Sequence, residues 1–270
     1  MSKDVLNAEN IHKLLPDYLK SKIRTVIEDC VESTNKSVKL LAVNGEAEGY
    51  VLISRKQTKG RGRMGRDFYS PQGTGVYMSL LLRPQCPSEE VSLVTTAAAV
   101  SVCEALESIG ASDCGIKWVN DIFVNGKKVC GILCEAGFNG ANRTADYVVL
   151  GVGVNMYFPQ DDFPQELQDI AGAVFSEQRD GAMDTFVSGF LTSFYNYYNS
   201  LSSREFISHY RKRCFVIGRE ISFLSQEQFS QGRAIDVDEN CNLIVEKSTG
   251  ERQVIGSGEI SVRILGKLNQ

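Results

Sequence analysis

Between Arg55 and Arg66 the chain reads Arg-Lys-Gln-Thr-Lys-Gly-Arg-Gly-Arg-Met-Gly-Arg, six cations and three glycines in twelve residues. Neither a helix interior nor a buried strand suits such a segment, because glycine weakens both and unpaired cations resist burial. It reads as a surface loop. Two apolar runs flank it, Gly49–Ser54 and Val76–Leu82, and both read as buried strands. The fold must therefore hang a long basic connection between two core strands. No acid occurs from Gly49 through Arg66, although the whole chain carries a net charge of −4. Arginine forks and a closely approaching glycine backbone suit an anionic ligand.

The remaining pattern is of the α/β (α+β) class. Asn7–Ile23 has partial helical spacing through Ile11, Leu14, Leu15 and Leu19, interrupted at Pro16. Ser33 or Thr34 is suited to cap a helix over Lys36–Val43. Val91–Ile109 is the clearest helix, and Gly110 suits its end. Ile122–Val124 and Lys127–Cys134 flank Asn125-Gly126 and predict a hairpin with a type I′ turn. Tyr147–Asn155 predicts a further strand, and helical stretches follow near Asp184–Leu201 and Arg204–Arg213. After Cys214, short β-like runs at Glu220–Leu224, Arg233–Val237, Leu243–Glu246 and Glu259–Ile264 predict a small barrel or sandwich. The expected division is residues 1–214 and 215–270.

Apolar and charged contents of 43% and 23% are those of an ordinary globular protein. No apolar run approaches the roughly 18 residues of a membrane helix, and the first ten residues lack a signal-peptide core. Eight cysteines without a C-x-x-C pair, and only His12 and His209 to join them, predict reduced thiols in the cytoplasm and no zinc site. Both histidines lie in helical stretches and read as structural or exposed.

Gly60-Arg61-Gly62-Arg63-Met64-Gly65 is a literal G-x-G-x-x-G. A dinucleotide site would need a helix to open there, and Asp67 through Gly75 make a poor helix. The favoured reading is a mobile loop that orders over an anion, tethered by Phe68, Tyr69 and Pro71; a solvated basic loop is the alternative. In the hairpin, Phe123 pairs with Lys128, and alternation sets Lys128 on the face of Cys130, Ile132 and Cys134. Asn120 then falls on the opposite face, unless it lies in the preceding turn or a bulge intervenes. In Tyr147–Asn155, Val148, Leu150, Val152 and Val154 share one face while Gly151, Gly153 and Asn155 share the other. Close approach of a ligand, a backbone or a packed helix explains such glycines.

Taken in order, Glu32-Ser33-Thr34-Asn35, Gln57 with Gly60–Arg66, Lys117-Trp118-Val119-Asn120-Asp121, Lys128 with Gly131-Ile132-Leu133, and Gly151–Asn155 resemble the biotin–protein ligases. Gly258-Glu259-Ile260-Ser261 resembles that family's small C-terminal domain. The resemblance implies a mixed-sheet catalytic domain followed by an SH3-like barrel. It implies ATP with Mg²⁺ carried on its phosphates, biotin as substrate, and a carboxylase's biotin carrier domain as partner. It further implies that Ser33, Thr34, Asn35 and Gln57 hold the biotin head. Arg61, Gly62 and Arg63 would close over carboxylate and adenylate, Arg66 would reach phosphate, and Asn120 and Asn155 would hold the nucleotide. Lys128, with Arg63, would be catalytic, at the carboxylate–phosphate junction.

The chain departs from the family in carrying Val119 where proline is usual, which predicts a relaxed turn, and Cys241 where glycine is common. Trp118 is its only tryptophan, so an adenine shelf is expected from Phe or Tyr or not at all. Residues before Ser33 hold barely one helix, so no DNA-binding domain is expected; no membrane is expected, and a homodimer is compatible. Alternative readings are a lipoate or octanoate ligase or transferase, and a biotin-responsive binding protein without turnover.

Overall fold

The computed structural model describes residues 4–138, 144–225, 228–256 and 262–265. Two short helices, α1 (Ala8–Leu14) and α2 (Asp17–Lys20), flank Pro16. Asn7 caps α1, its side-chain oxygen accepting from the backbone N–H groups of Glu9 and Asn10. Then come β1 (Arg24–Glu28), α3 (Thr34–Val43), β2 (Tyr50–Ser54) and β3 (Gly75–Leu82). Next are α4 (Val91–Ser108), β4 (Gly115–Lys117), β5 (Asp121–Val124), β6 (Lys127–Gly137) and β7 (Tyr147–Asn155). The seven strands make one mixed sheet in the order β1-β2-β3-β7-β6-β5-β4. Only β1 and β2 pair parallel; the other neighbours are antiparallel.

Strand alternation divides the work between the two faces. Val51, Ile53, Val76, Met78, Leu80, Leu150 and Val152 point into the main core. There they meet α4, α5 (Ala182–Tyr198) and α6 (Phe206–Arg213). Leu93, Val100, Val102 and Leu106 of α4 are fully buried, each stabilising the fold by about 1.5–3 kcal/mol relative to exposure. By length and composition α4 would pass for a membrane span, but 72% of it is buried inside the protein. On the other face a smaller cluster of Val38, Ala42, Tyr50, Leu52, Leu81 and Val149 seats α3. Beyond α3 the Phe68 ring of the basic loop lies on that face, and most of the predicted site residues gather there.

The C-terminal sheet contains β8 (Glu220–Ser225), β9 (Gln228–Val237), β10 (Leu243–Glu246), β11 (Arg252–Ile255) and β12 (Val262–Ile264). It is five-stranded and antiparallel, in the order β11-β10-β9-β8-β12. The core runs on from Tyr210 through Val216 to Phe223 and Leu243. Trp118 Nε1 also donates to the Cys241 carbonyl at 2.9 Å. Cys241 holds φ at 57°, a left-handed conformation that explains why glycine would suit the position. The motif Gly258–Ser261 lies outside the described residues.

Several elements differ from the sequence expectation. β1, β4 and β11 were not anticipated. The first two lie at the sheet's edges, where short, partly polar strands give little alternation. The Asn125-Gly126 turn has both residues at positive φ, 50° and 74°, as type I′ requires. The Trp118–Val119 peptide is cis.

Candidate active site

The basic loop folds back on itself rather than opening a helix. Phe68 N–H donates to the Gly60 carbonyl at 2.8 Å, and Gly62 N–H to the Arg66 carbonyl at 2.7 Å. A β-carbon at Gly60 would stand 2.3 Å from the Phe68 carbonyl oxygen, so that crossing needs glycine. Met64 and Gly65 turn the tip with φ of 57° and 70°. The tether expected at Phe68, Tyr69 and Pro71 is present. The Phe68 ring lies over Gly153 and Gly131, Tyr69 packs edge-on against Phe163, and the Pro71 carbonyl accepts from Tyr77 and Thr74.

The glycines of β7 make room for side chains of this same chain. A β-carbon at Gly153 would come within 2.7 Å of the Phe68 ring, and one at Gly151 within 2.1 Å of Asn35 Oδ1. At Gly151 the neighbour belongs to helix α3, as the packed-helix reading expects, whereas at Gly153 it is a side chain of the basic loop.

Ser33 occupies the N-cap position of α3 but its hydroxyl does not cap it, which corrects the capping expectation. Gln57 does that work from across the site, its Oε1 accepting from Thr34 N–H at 2.9 Å and Thr34 Oγ1 at 3.2 Å. A hydrogen-bond chain then crosses the face. Gln57 Nε2 donates to Ser70, Ser79 Oγ lies 2.8 Å from Thr34 Oγ1 and 2.6 Å from Asn35 Oδ1, and Asn35 Nδ2 donates to Glu135 at 3.0 Å. Glu135 also pairs with Arg61 at 3.2 Å. Ser33, Thr34, Asn35 and Ser79 are all buried, so each link counts for more than it would at a surface.

The position of Lys128 needs correction. The β5–β6 register slips between Ile122 and Phe123, leaving Val129 as an extra residue. That bulge swings Lys128 off the face of Cys130 and Ile132, which stay in the core. Its Nζ lies above Gly131 and 2.7 Å from Asp121 Oδ1. Asn120 lies in the turn between β4 and β5. Its Oδ1 accepts from Arg63 at 3.1 Å, and its Nδ2 donates to the Ile132 carbonyl at 2.7 Å. Turn and bulge together bring Asn120 and Lys128 to one cavity.

Two adjoining cavities result. The smaller, about 20 Å³, is lined by Ser33, Thr34, Asn35, Gln57 and the two β7 glycines. The larger, about 100 Å³, is lined by Arg61, Gly62, Arg63, Arg66, Asn120 and Lys128, with Lys117, Trp118 and Asp121. Arg61, Phe68, Gly131 and Leu133 wall both. Burial lowers the Arg63 guanidinium's affinity for its proton, with Asp121 opposing, and burial likewise lowers that of Lys117. Asn155 stands apart: it lines neither cavity, and its amide donates to the Gly172 carbonyl at 3.2 Å. His12 lies in α1, and His209 Nδ1 is 3.6 Å from Glu104 on the far helices.

Sequence reasoning missed Ser79 and Glu135. Ser79 was legible as the polar break in Gly75–Leu82. Glu135 follows Gly131 and Leu133 at the strand period of two. Trp118 was set aside as an aromatic shelf, yet it lines the larger cavity.

A mixed sheet with this paired site is a known class. Residues 27–155 match the Biotin/lipoate A/B protein ligase family, and residues 216–263 match the Biotin protein ligase C terminal domain. The bifunctional ligase/repressor BirA of Bacillus subtilis is 32% identical over 239 residues, 85% of this chain and 71% of that protein. BirA of Bacillus spizizenii is 42% identical over 146 residues, 54% of this chain but only 44% of that protein. Among solved structures, the Aquifex aeolicus biotin protein ligase in complex with biotin and ATP superposes with a TM-score of 0.73 at 27% identity. That match covers 89% of this chain and 99% of the other. The chain belongs to the biotin protein ligases.

Proposed function

We propose that this chain joins biotin to ATP and then passes the biotinyl group to a lysine of a carboxylase's biotin carrier domain. The observation that carries the reading is that the two cavities adjoin, sharing Arg61, Phe68, Gly131 and Leu133, with Lys128 Nζ beside the shared Gly131. One cavity is lined mainly by neutral hydrogen-bonding groups, as a ureido ring requires, with Arg61 at its edge. The other is cationic, as a carboxylate meeting a phosphate requires. The Aquifex relative carries biotin and ATP, which supports the same pair of substrates here.

In the first step Ser33, Thr34, Asn35 and Gln57 hold the biotin head, and Arg61, Gly62 and Arg63 cover its chain and carboxylate. Lys128, steered by Asp121, stands between two anions that otherwise repel. Its charge stabilises the crowded α-phosphate in the transition state more than in the separated substrates. Arg63 and Arg66 add charge from the loop, and Asn120 and Asn155 hold the nucleotide. For Asn155 this requires release from Gly172. Mg²⁺ enters on the ATP phosphates. In the second step the acceptor's ε-amine attacks the acyl carbon and AMP leaves. A loop closed by Arg63–Asn120 keeps water from the anhydride meanwhile.

The boundary at 214/215 and a cytoplasmic setting for the eight free thiols complete the reading. A homodimer is compatible with it. Biotin-dependent ATP–pyrophosphate exchange tests it: exchange is expected with biotin and not with lipoate or octanoate. Absence of exchange, with biotin still bound, would leave a binding protein instead.

A further inference from the structure

The larger cavity carries more positive charge than an acyl phosphate needs. Among its described lining residues are five cations, Arg61, Arg63, Arg66, Lys117 and Lys128, against one carboxylate, Asp121. Arg61 is engaged by Glu135, Arg63 by Asn120, and Lys128 by Asp121. Lys117 ends β4 directly opposite Asp121 in the ladder, but the Asp121 oxygen nearest a cation is given to Lys128. Among the described residues Lys117 Nζ has no hydrogen bond or ion pair.

Its place in the sheet indicates what it is for. The glycine floor lies on β7 and β6, Lys128 projects from β6, Asp121 begins β5, and Lys117 ends β4. With strands about 4.8 Å apart, Lys117 stands roughly two strands, or about 10 Å, beyond the strand that bears Lys128. Displacement at phosphorus is in line, so the leaving oxygen departs on the side opposite the attacking one. A carboxylate arriving from the β7 side of the α-phosphate therefore expels its leaving group toward β5 and β4.

We propose that Lys117 is the cation that receives the departing pyrophosphate, an inference that rests on the adenylation reading above. A biotin carboxylate oxygen forms its bond to the α-phosphorus as the bond from that phosphorus to the β-bridging oxygen breaks. The electron pair leaves with pyrophosphate, and neither a proton nor an oxidant is needed. Lys117 offsets the charge gathering on the bridging oxygen. Its half-buried position at a strand end keeps the ammonium in place without a reorganisation cost. Among the described residues the Arg66 side chain also has no hydrogen bond or ion pair, but it sits on the exposed loop and is less fixed.

The test compares Lys117→Met and Lys117→Arg in the two half-reactions. Lys117→Met should slow biotin-dependent ATP–pyrophosphate exchange by on the order of 100-fold, the usual loss of one charge-stabilising donor. It should also raise the pyrophosphate concentration needed for half-maximal exchange. Transfer from synthetic biotinyl-5′-AMP to the carrier domain should stay close to wild type, since no pyrophosphate is involved. Lys117→Arg should recover most of the exchange. Equal losses in both half-reactions, exchange at the wild-type rate in Lys117→Met, or no recovery with arginine would each overturn the proposal. Failure of the adenylation reading is distinguishable, because the wild-type protein itself would then show no exchange.

Discussion

A β-carbon at Gly151 would stand 2.1 Å from Asn35 Oδ1, so the amide that starts α3 lies directly on β7. Gly151→Ala forces one of them to move. Overpacking of this kind costs about 1–3 kcal/mol, and here it also tears Asn35 from Ser79 and Glu135. Urea denaturation should show that loss, and calorimetry should show biotin binding weakened by at least about tenfold. Wild-type affinity in a folded variant would detach Asn35 from the biotin site.

Lys128→Ala should slow adenylation by about 100- to 1,000-fold while weakening biotin binding far less, since the head-group contacts remain. Rapid-quench measurement of biotinyl-5′-AMP formation, set beside a biotin titration, separates the two. Asp121→Asn should give a milder defect, because it leaves the charge of Lys128 but removes its 2.7 Å anchor.

Arg63→Gly should leave adenylate formation measurable and fail in retention. Arg63 reaches Asn120 across the cavity at 3.1 Å, and glycine there unfastens the loop. Release of labelled biotinyl-5′-AMP into solution should rise, and lysines of bystander proteins should become biotinylated. Adenylate held as tightly as in the wild type would refute the closure role.

Ser79→Ala leaves Thr34 and Asn35 without their shared buried partner. The expected loss is about 1–3 kcal/mol in equilibrium unfolding. A smaller cost would mean that the two side chains find each other or water.

Stability should decline on the alkaline side. Burial pushes the thiols of Cys114, Cys134 and Cys214 up to about 12 from an ordinary 9. Between those values the unfolded chain ionises its thiols while the folded chain keeps them protonated. The unfolded state then binds fewer protons, and stability falls as pH rises. Melting at about pH 10.5 should lie below melting at about pH 8. Replacing Cys134 by alanine or serine should flatten that decline, whatever it does to the midpoint.

Much of the architecture was readable along the chain because its signals are local. The Asn125-Gly126 turn, the Pro16 break, the α4 helix and the alternation in Tyr147–Asn155 each follow from a few neighbouring residues and the strand or helix period. β1 and β4 were not readable, since an edge strand is defined by the neighbour it pairs with. Ser33, Thr34, Asn35, Gln57, Arg61, Arg63, Arg66, Asn120 and Lys128 do gather on one face of the sheet. The directions of two of them were misjudged: the Ser33 hydroxyl is not a cap, and Lys128 does not share the Cys130 face.

By itself the sequence determined that a basic glycine loop hangs between core strands, that it cannot open a helix, and which ligase family its motifs belong to. Tertiary structure decided the rest. It showed why Gly151 and Gly153 must lack side chains, since Asn35 and Phe68 come from distant segments to fill that space. It set the bulge at Val129 that turns Lys128 toward Asp121, and it carried Glu135 to Arg61 and Asn35. It also left Lys117 at the end of β4 with no hydrogen bond or ion pair among the described residues. Composition and periodicity describe residues one to four positions apart, whereas these relationships reach further along the chain, most of them by tens of positions, and exist only when the sheet closes around them. The loop that began as a run of cations is, in the fold, a hairpin pinned at Gly60 whose Arg61 and Arg63 are held by Glu135 and Asn120 across the cavity.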